Sequence, residues 1–387
     1  MLRTPRPLRF AALCSALVAF SLACTSGKKP DALDFPSIVA IDSTLNRVFV
    51  IDNQQNGLNL IDPTTDKAVL FGKNDESLLN NEDPQLLPQF PNNGAVVSLA
   101  GGVSRLFVIG GAGATPGNQI VVLDYDDTNL IRNAPFTPIS VAGNPSDSLV
   151  GIAVAPDLGL VFVSNATSGQ VHAYNVNTGA EVANSPIAVG GIPGRMNYDP
   201  DSGLLAVSDA ANTTVSLIDA SNLAGGAQTV DVGVLTRDAA LASNANGTVL
   251  FVSGSQVNTA RVFLLDLSNL ANSTEIFQLN PNSPTQPIPD PNFVPGTINF
   301  VKAANLSDGR MAGFYTQSTG DLLELDLTNN LSTLTPAITS VGAISGEGLD
   351  YLQDGSGNAT KVYYASPGVG TLTVVNPLTN AFLVQIP

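Results

Sequence analysis

Tryptophan is absent from this chain, histidine occurs once, cysteine twice and methionine three times. One histidine cannot build a polyhistidine metal centre or ligate several haems, and type-1 copper and quinoprotein sites need His, Cys or Trp arrangements that are missing here. The residues therefore give no reason to expect a cofactor or a metal. Charge is also scarce. Only 12% of the residues are charged, and 16 Lys and Arg face 32 Asp and Glu, for a net charge of −16. That balance disfavours nucleic acid, whose binding rests on Lys and Arg neutralising phosphates. The chain has instead 387 residues, 44% of them apolar, enough for a large buried core, with 35 Gly and 26 Pro. This much Gly and Pro suits many short elements joined by tight turns and argues against long helices.

The first residues read as an address. Arg3, Arg6 and Arg9 make a basic start, and the apolar run from Phe10 to Leu22 fits the hydrophobic stretch of a secretory signal while being short for a membrane span. Then follow Leu22, Ala23 and Cys24. Here the chain resembles a bacterial lipoprotein precursor, cut before a cysteine that carries acyl chains such as palmitate, although Leu22 stands one place nearer the cysteine than in the commonest form. Residues 1–23 are thus expected to be a signal peptide, Cys24 the lipidation site and 24–36 a lipid-anchored tether. Removing residues 1–23, which hold three Arg and no acid, would take the net charge from −16 to −19. So acidic a surface repels anionic headgroups, and the acyl chains must supply the membrane attachment. Thr25 stands where Asp would imply retention at the inner membrane. By family analogy the expected place is the cell envelope, at the outer membrane.

Residues 37–387 are organised by a repeat. A strand of apolar character closes on Asp or Asn at Asp62, Asp124, Asn175, Asp219, Asp266, Asp326 and Asn376, at separations of 62, 51, 44, 47, 60 and 50 residues. A second β-branched or aromatic strand precedes each copy, as in Val48-Phe49-Val50 and Val161-Phe162-Val163. Another strand lies upstream of most copies (Gly151 to Ala155) and a fourth downstream (Ile187 to Val189). Four strands per repeat, seven times over, predict an all-β fold, a seven-bladed β-propeller of four-stranded antiparallel blades. The closing Asp or Asn is expected to accept a backbone N–H in the turn that follows, an Asx-turn, so these residues serve structure.

The repeat resembles the YVTN family of β-propellers. The resemblance is carried by Ala153 to Asp157, Val161 to Asn165, Val171 and Asn175, and by the entry Val189-Gly190-Gly191-Ile192-Pro193 of the next repeat. It spans about residues 37–387 and is strongest in repeats three to five; repeats one, six and seven depart further from it. The absent tryptophan counts against WD40 blades and tryptophan-docked quinoprotein-like blades.

Chemistry has few places to reside. By analogy with known propellers, the blade-joining connections share one face with the loops between second and third strands. Two of these connections are unusually long: residues 71–94 and 280–296, the latter with six prolines. Long loops in a compact domain point to a partner surface, and an envelope protein partner is expected there. Arg195, Arg237, Asp238 and Glu347 fall where first strands begin near the tunnel, so they are candidate ligand-binding residues; an Arg there can hold a carboxylate by paired hydrogen bonds. His172 lies inside a third strand, and its counterparts in other repeats share no chemistry, so it reads as structural. Asp124, Asp126 and Asp127, and Asp199 and Asp201, cluster as calcium ligands do, but neither run completes a calcium loop, and hairpin turns explain both. No catalytic residue is singled out. The expectation is a membrane-tethered envelope propeller acting as a non-enzymatic scaffold or binding module. The alternative is a hydrolase resembling propeller lactonases, with a small-molecule site at the tunnel mouth.

Overall fold

In the computed structural model, residues 33, 36–52, 57–69, 87–88, 90–111, 114, 116–255, 259–279, 298–317, 322–328, 334–338 and 348–387 are described. Residues 1–32, with the expected signal peptide and Cys24, lie outside this set, as do Glu347, the connection 280–296 and most of 71–94.

Every repeat folds into one antiparallel sheet whose strands follow sequence order from the centre outward. Blade one comprises Pro36–Asp42, Arg47–Asp52, Gly57–Asp62 and Lys67–Val69. The innermost strands of blades two to seven are Pro91–Leu99, Leu149–Ala155, Pro193–Asp199, Thr236–Asn244, Ile298–Asn305 and Gly348–Gln353. Blade two carries a fifth short strand, Ile139–Ser140, paired with its third strand Gln119–Asp126. The only helical segments among the described residues are single 3-10 turns.

The blades close into a ring of seven. Buried apolar side chains divide into seven clusters, and each joins one blade to the next, including blade seven to blade one. Second strands are therefore sandwiched on both faces and read as continuous apolar runs; Arg47–Asp52 is buried throughout. Outermost strands alternate or stand exposed, as in Ala381–Ile386. One register position supplies the large wedge between blades: Phe49, Phe107, Phe162, Phe251, Phe314 and Tyr363 are all buried there, with Ala206 in blade four. Glycine permits the closest approaches. A Cβ on Gly151 would stand 2.4 Å from the Gly194 carbonyl oxygen, and one on Gly348 would stand 2.8 Å from that of Ser37.

Among the described residues no blade borrows a strand from the far end of the chain, and side chains fasten blade seven to blade one. Lys361 donates to Asp66 and to the Pro63 carbonyl, both at 2.6 Å, and the Tyr363 hydroxyl donates to Asp66 at 3.0 Å. Leu33 is buried in the apolar cluster of the same junction.

The antiparallel order puts first-to-second and third-to-fourth turns on one face, hereafter the turn face, and all other connections on the opposite connection face. On the turn face the expected Asx-turns are present at six third-strand ends. Asp62, Asn175, Asp219, Asp266, Asp326 and Asn376 each accept the N–H two residues on. Blade two corrects the reading. Its third strand runs two residues further, and Asp126 accepts from Thr128 and Asn129. Asp124 is instead buried in a two-pronged ion pair with Arg105, at 2.6 and 2.7 Å. Arg105 also donates to the Val176 carbonyl of blade three at 2.8 Å. Arg47 likewise spans blades one and two, donating to Gly102, Ser104 and Asp127.

Candidate functional site

The innermost strands enclose a central cavity of about 240 Å3 to which all seven blades contribute. These strands place short stretches of backbone edge at the axis, and polar side chains from one blade satisfy the edge of the next. Asp238 of blade five accepts the Val301 N–H of blade six at 3.1 Å, and Asp350 of blade seven accepts the Ile41 N–H of blade one at 3.1 Å. Asn93 and Asn197 donate to carbonyls of the following blades in the same way. These contacts answer the demand that buried backbone groups be paired.

Three of the four residues singled out from sequence converge, and they do so on the chain itself. Arg195 lies over the Phe300 ring, 3.5 Å from its centroid, and donates to the Asn299 carbonyl at 3.0 Å. Arg237, exposed, donates to the Asn299 side chain at 2.9 Å. Asp238 is buried and takes up Val301. Together they hold Asn299, Phe300 and Val301, where the chain enters blade six after the connection 280–296. Arg195 and Asp238 line the cavity; Glu347 lies outside the described residues. Burial pushes the Asp238 carboxyl above its ordinary range, opposed by Arg195, the Val301 N–H and Lys302.

The cavity has two charged residues that sequence reasoning missed. Lys302 of blade six and Asp350 of blade seven form an ion pair at 3.6 Å, with side chains 30% and 22% exposed. Burial raises Asp350 above its usual value, and Lys302 opposes this. The signal that finds them is the register. Opposite the interblade wedge, the innermost strand carries Ala40, Ala95, Ala153 and Ala240 in blades one, two, three and five, and Asn197, Lys302 and Asp350 in the other three. The rest of the wall mixes apolar side chains, Ile38, Val39, Val96, Ile152 and Val154, with polar ones such as Asn92, Asn93, Tyr198 and Gln353.

His172 is buried in blade three, away from the cavity lining, with Nδ1 2.8 Å from Glu181. Ser185 donates to the same Glu181 oxygen at 2.7 Å. The carboxylate thus stands between serine and histidine, which is not the order a base-activated nucleophile needs. Among the described residues no three His, Cys, Asp or Glu converge as metal ligands, and the aspartates weighed for calcium have other partners: Asp124 Arg105, Asp126 its turn and Arg132, Asp127 Arg47, Asp199 Ser202 and Ser243, and Asp201 Asn305. No helix of the described residues is long and apolar enough to cross a membrane.

The connection face carries exposed apolar side chains at equivalent places. Phe90, Ile192 and Leu235, 61%, 47% and 42% exposed, each immediately precede an innermost strand, in blades two, four and five. Each is tied by the same bond: its carbonyl accepts the N–H of the residue after the second strand, Gly111, Ala210 or Ser255, at 2.6, 2.9 and 2.8 Å. Phe90 further adopts a left-handed backbone, φ 48°, a conformation costly for an aromatic residue.

No family model and no curated protein matches the chain. Solved structures do. Dihydro-heme d1 dehydrogenase NirN in complex with DHE is similar with a TM-score of 0.55 at 13% identity, over 91% of this chain and 66% of that one. Chaetomium thermophilum Raptor is similar with a TM-score of 0.58 at 10% identity, over 90% of this chain and 30% of that one. The chain thus spans just under two thirds of the first and under a third of the second, and likeness at such identity establishes the propeller fold alone.

Proposed function

We propose that this chain is a lipid-tethered β-propeller of the cell envelope, of YVTN type, that works as a non-enzymatic scaffold docking a protein partner on its connection face. The observation that carries the reading is the trio Phe90, Ile192 and Leu235. Large apolar side chains left in water at one repeat position, each fixed by the same backbone hydrogen bond, are preorganised for contact. The two long connections expected from sequence to carry a partner, 71–94 and 280–296, join strand ends on the same face. The tether reading rests on the basic start, apolar run and Cys24 of the sequence.

A hydrolytic reading finds less support. Asp238 and Asp350 already hold backbone N–H groups, Arg195 and Arg237 hold Asn299, and the single histidine is bonded to Glu181 outside the cavity. A haem-ligating role meets the same shortage of histidine.

The test is a pull-down from detergent-solubilised envelopes with the full chain and with a Phe90→Ser, Ile192→Ser, Leu235→Ser variant. The full chain should retain a specific partner that the variant loses; equal recovery defeats docking on this face. Separately, Cys24→Ala should move the chain from the membrane to the soluble fraction, and its persistence with membranes defeats the anchor.

A further inference from the structure

We infer that the central cavity binds a small zwitterion of the α-amino-acid class with an aliphatic side chain, gripped by the Lys302–Asp350 pair. This goes beyond the docking reading and does not depend on it, since none of Phe90, Ile192 and Leu235 lines the cavity.

The repeat supplies its own control. At the register position facing the interblade wedge, four blades use alanine, so the architecture is met by a methyl group there. Two adjacent blades instead place opposite charges at that position, Lys302 and Asp350, and the wedge behind them stays aromatic, Phe314 and Tyr363. Packing does not ask for Lys302, and the bond from the Ile41 N–H occupies only one oxygen of Asp350. Nor do the two charges satisfy one another well. Their 3.6 Å separation exceeds the ~2.7–2.9 Å of a charge-assisted hydrogen bond, while both remain partly open to the cavity. One Asp350 oxygen is fixed by the Ile41 N–H, and the other faces Lys302.

Such a pair selects its ligand by charge. A monoanion on Lys302 would meet Asp350 as a like charge, and a monocation on Asp350 would meet Lys302. A zwitterion satisfies both, with its carboxylate on the Lys302 ammonium and its own ammonium on Asp350. In a ring of seven, the junction of blades six and seven faces blade three, which contributes Ile152, Ala153, Val154 and Pro156 to the cavity. An aliphatic side chain reaching across the axis would be buried on that wall. The cavity's volume of about 240 Å3 equals about eight waters at ~30 Å3 each, the scale of one aliphatic amino acid.

Calorimetric titration of the full chain in detergent tests this with leucine, isovalerate and isoamylamine as probes. Leucine should bind saturably, and the two half-ligands at least tenfold more weakly. The double substitution Lys302→Ala, Asp350→Asn, which removes both charges but keeps an acceptor for the Ile41 N–H, should weaken leucine binding at least tenfold with the thermal midpoint retained. Absence of saturable leucine binding overturns the inference, as does equal binding of either half-ligand or unchanged binding by the double variant. The comparison of the three probes on the unaltered chain decides the matter even if that variant unfolds.

Discussion

The two faces of this ring are built by different rules. On the turn face, one short acid or amide per blade closes the third strand, and cations reach from blade to blade: Lys361 to Asp66, Arg47 to Asp127, Arg105 to the Val176 carbonyl. Both faces expose apolar side chains, Leu158 and Leu267 on the turn face among them, but on the connection face lengths vary and Phe90, Ile192 and Leu235 recur at one repeat position, Phe90 in a left-handed backbone. The difference teaches where the repeat is constrained. A turn that must reverse the chain in a few residues needs a side-chain acceptor, whatever its blade. A connection that only has to reach the next blade can take any length and is free to serve recognition.

The largest expected effect lies on the turn face. Arg105→Ala leaves Asp124 buried without its partner, and we expect a loss of ~3–5 kcal/mol in denaturant unfolding, with most of it recovered when Asp124→Leu accompanies Arg105→Met. A loss below about 1 kcal/mol would show that the faces do not differ in this way.

Next comes the pH dependence of blade six. Burial raises the Glu324 carboxyl from 4.5 to about 7, against the opposing pull of Arg310. The folded chain then holds this proton more tightly than the unfolded chain does. Its stabilising contribution is complete below about pH 4.5 and is lost as pH rises through about 7, an effect of about 3–4 kcal/mol at ~1.4 kcal/mol per unit. Unfolding midpoints compared at acid and mildly alkaline pH should show this decline, and Glu324→Gln should flatten it. An unchanged slope in that variant would assign the decline to another group.

The smallest effect has the opposite sign and belongs to the connection face. Phe90→Asn relieves the left-handed aromatic and should raise stability by roughly 0.5–1 kcal/mol while lowering partner retention. A destabilised variant would mean that the Phe90 ring is packed rather than offered.

Much of the architecture was legible in the chain. Alternation, aromatic second strands and a recurrent Asp or Asn predicted seven four-stranded blades, because each blade is continuous in sequence and its turns are local. Blade two shows where that reading fails. Asp124 and Asp126 are equally good strand-ending acids on paper, and which of them caps the turn depends on Arg105, 19 residues earlier, arriving beside Asp124 in the folded sheet. The candidate site was half legible. Arg195, Arg237 and Asp238 were found near the tunnel by position, but their common grip on Asn299, Phe300 and Val301 spans blades four to six and has no local trace. Lys302 and Asp350 leave no trace in the third-strand repeat, because they sit on innermost strands whose register shows only in the folded blade.

Sequence by itself determined the blade, its number and the turn chemistry, since hydrophobic periodicity and side-chain-to-backbone bonds act over a few residues. Only the tertiary structure decided which charges meet, how blade seven is fastened to blade one and what the axis encloses. Those outcomes depend on closing a ring, and closure brings together residues as far apart as Ile41 and Asp350, whose separation along the chain carries no information about their contact.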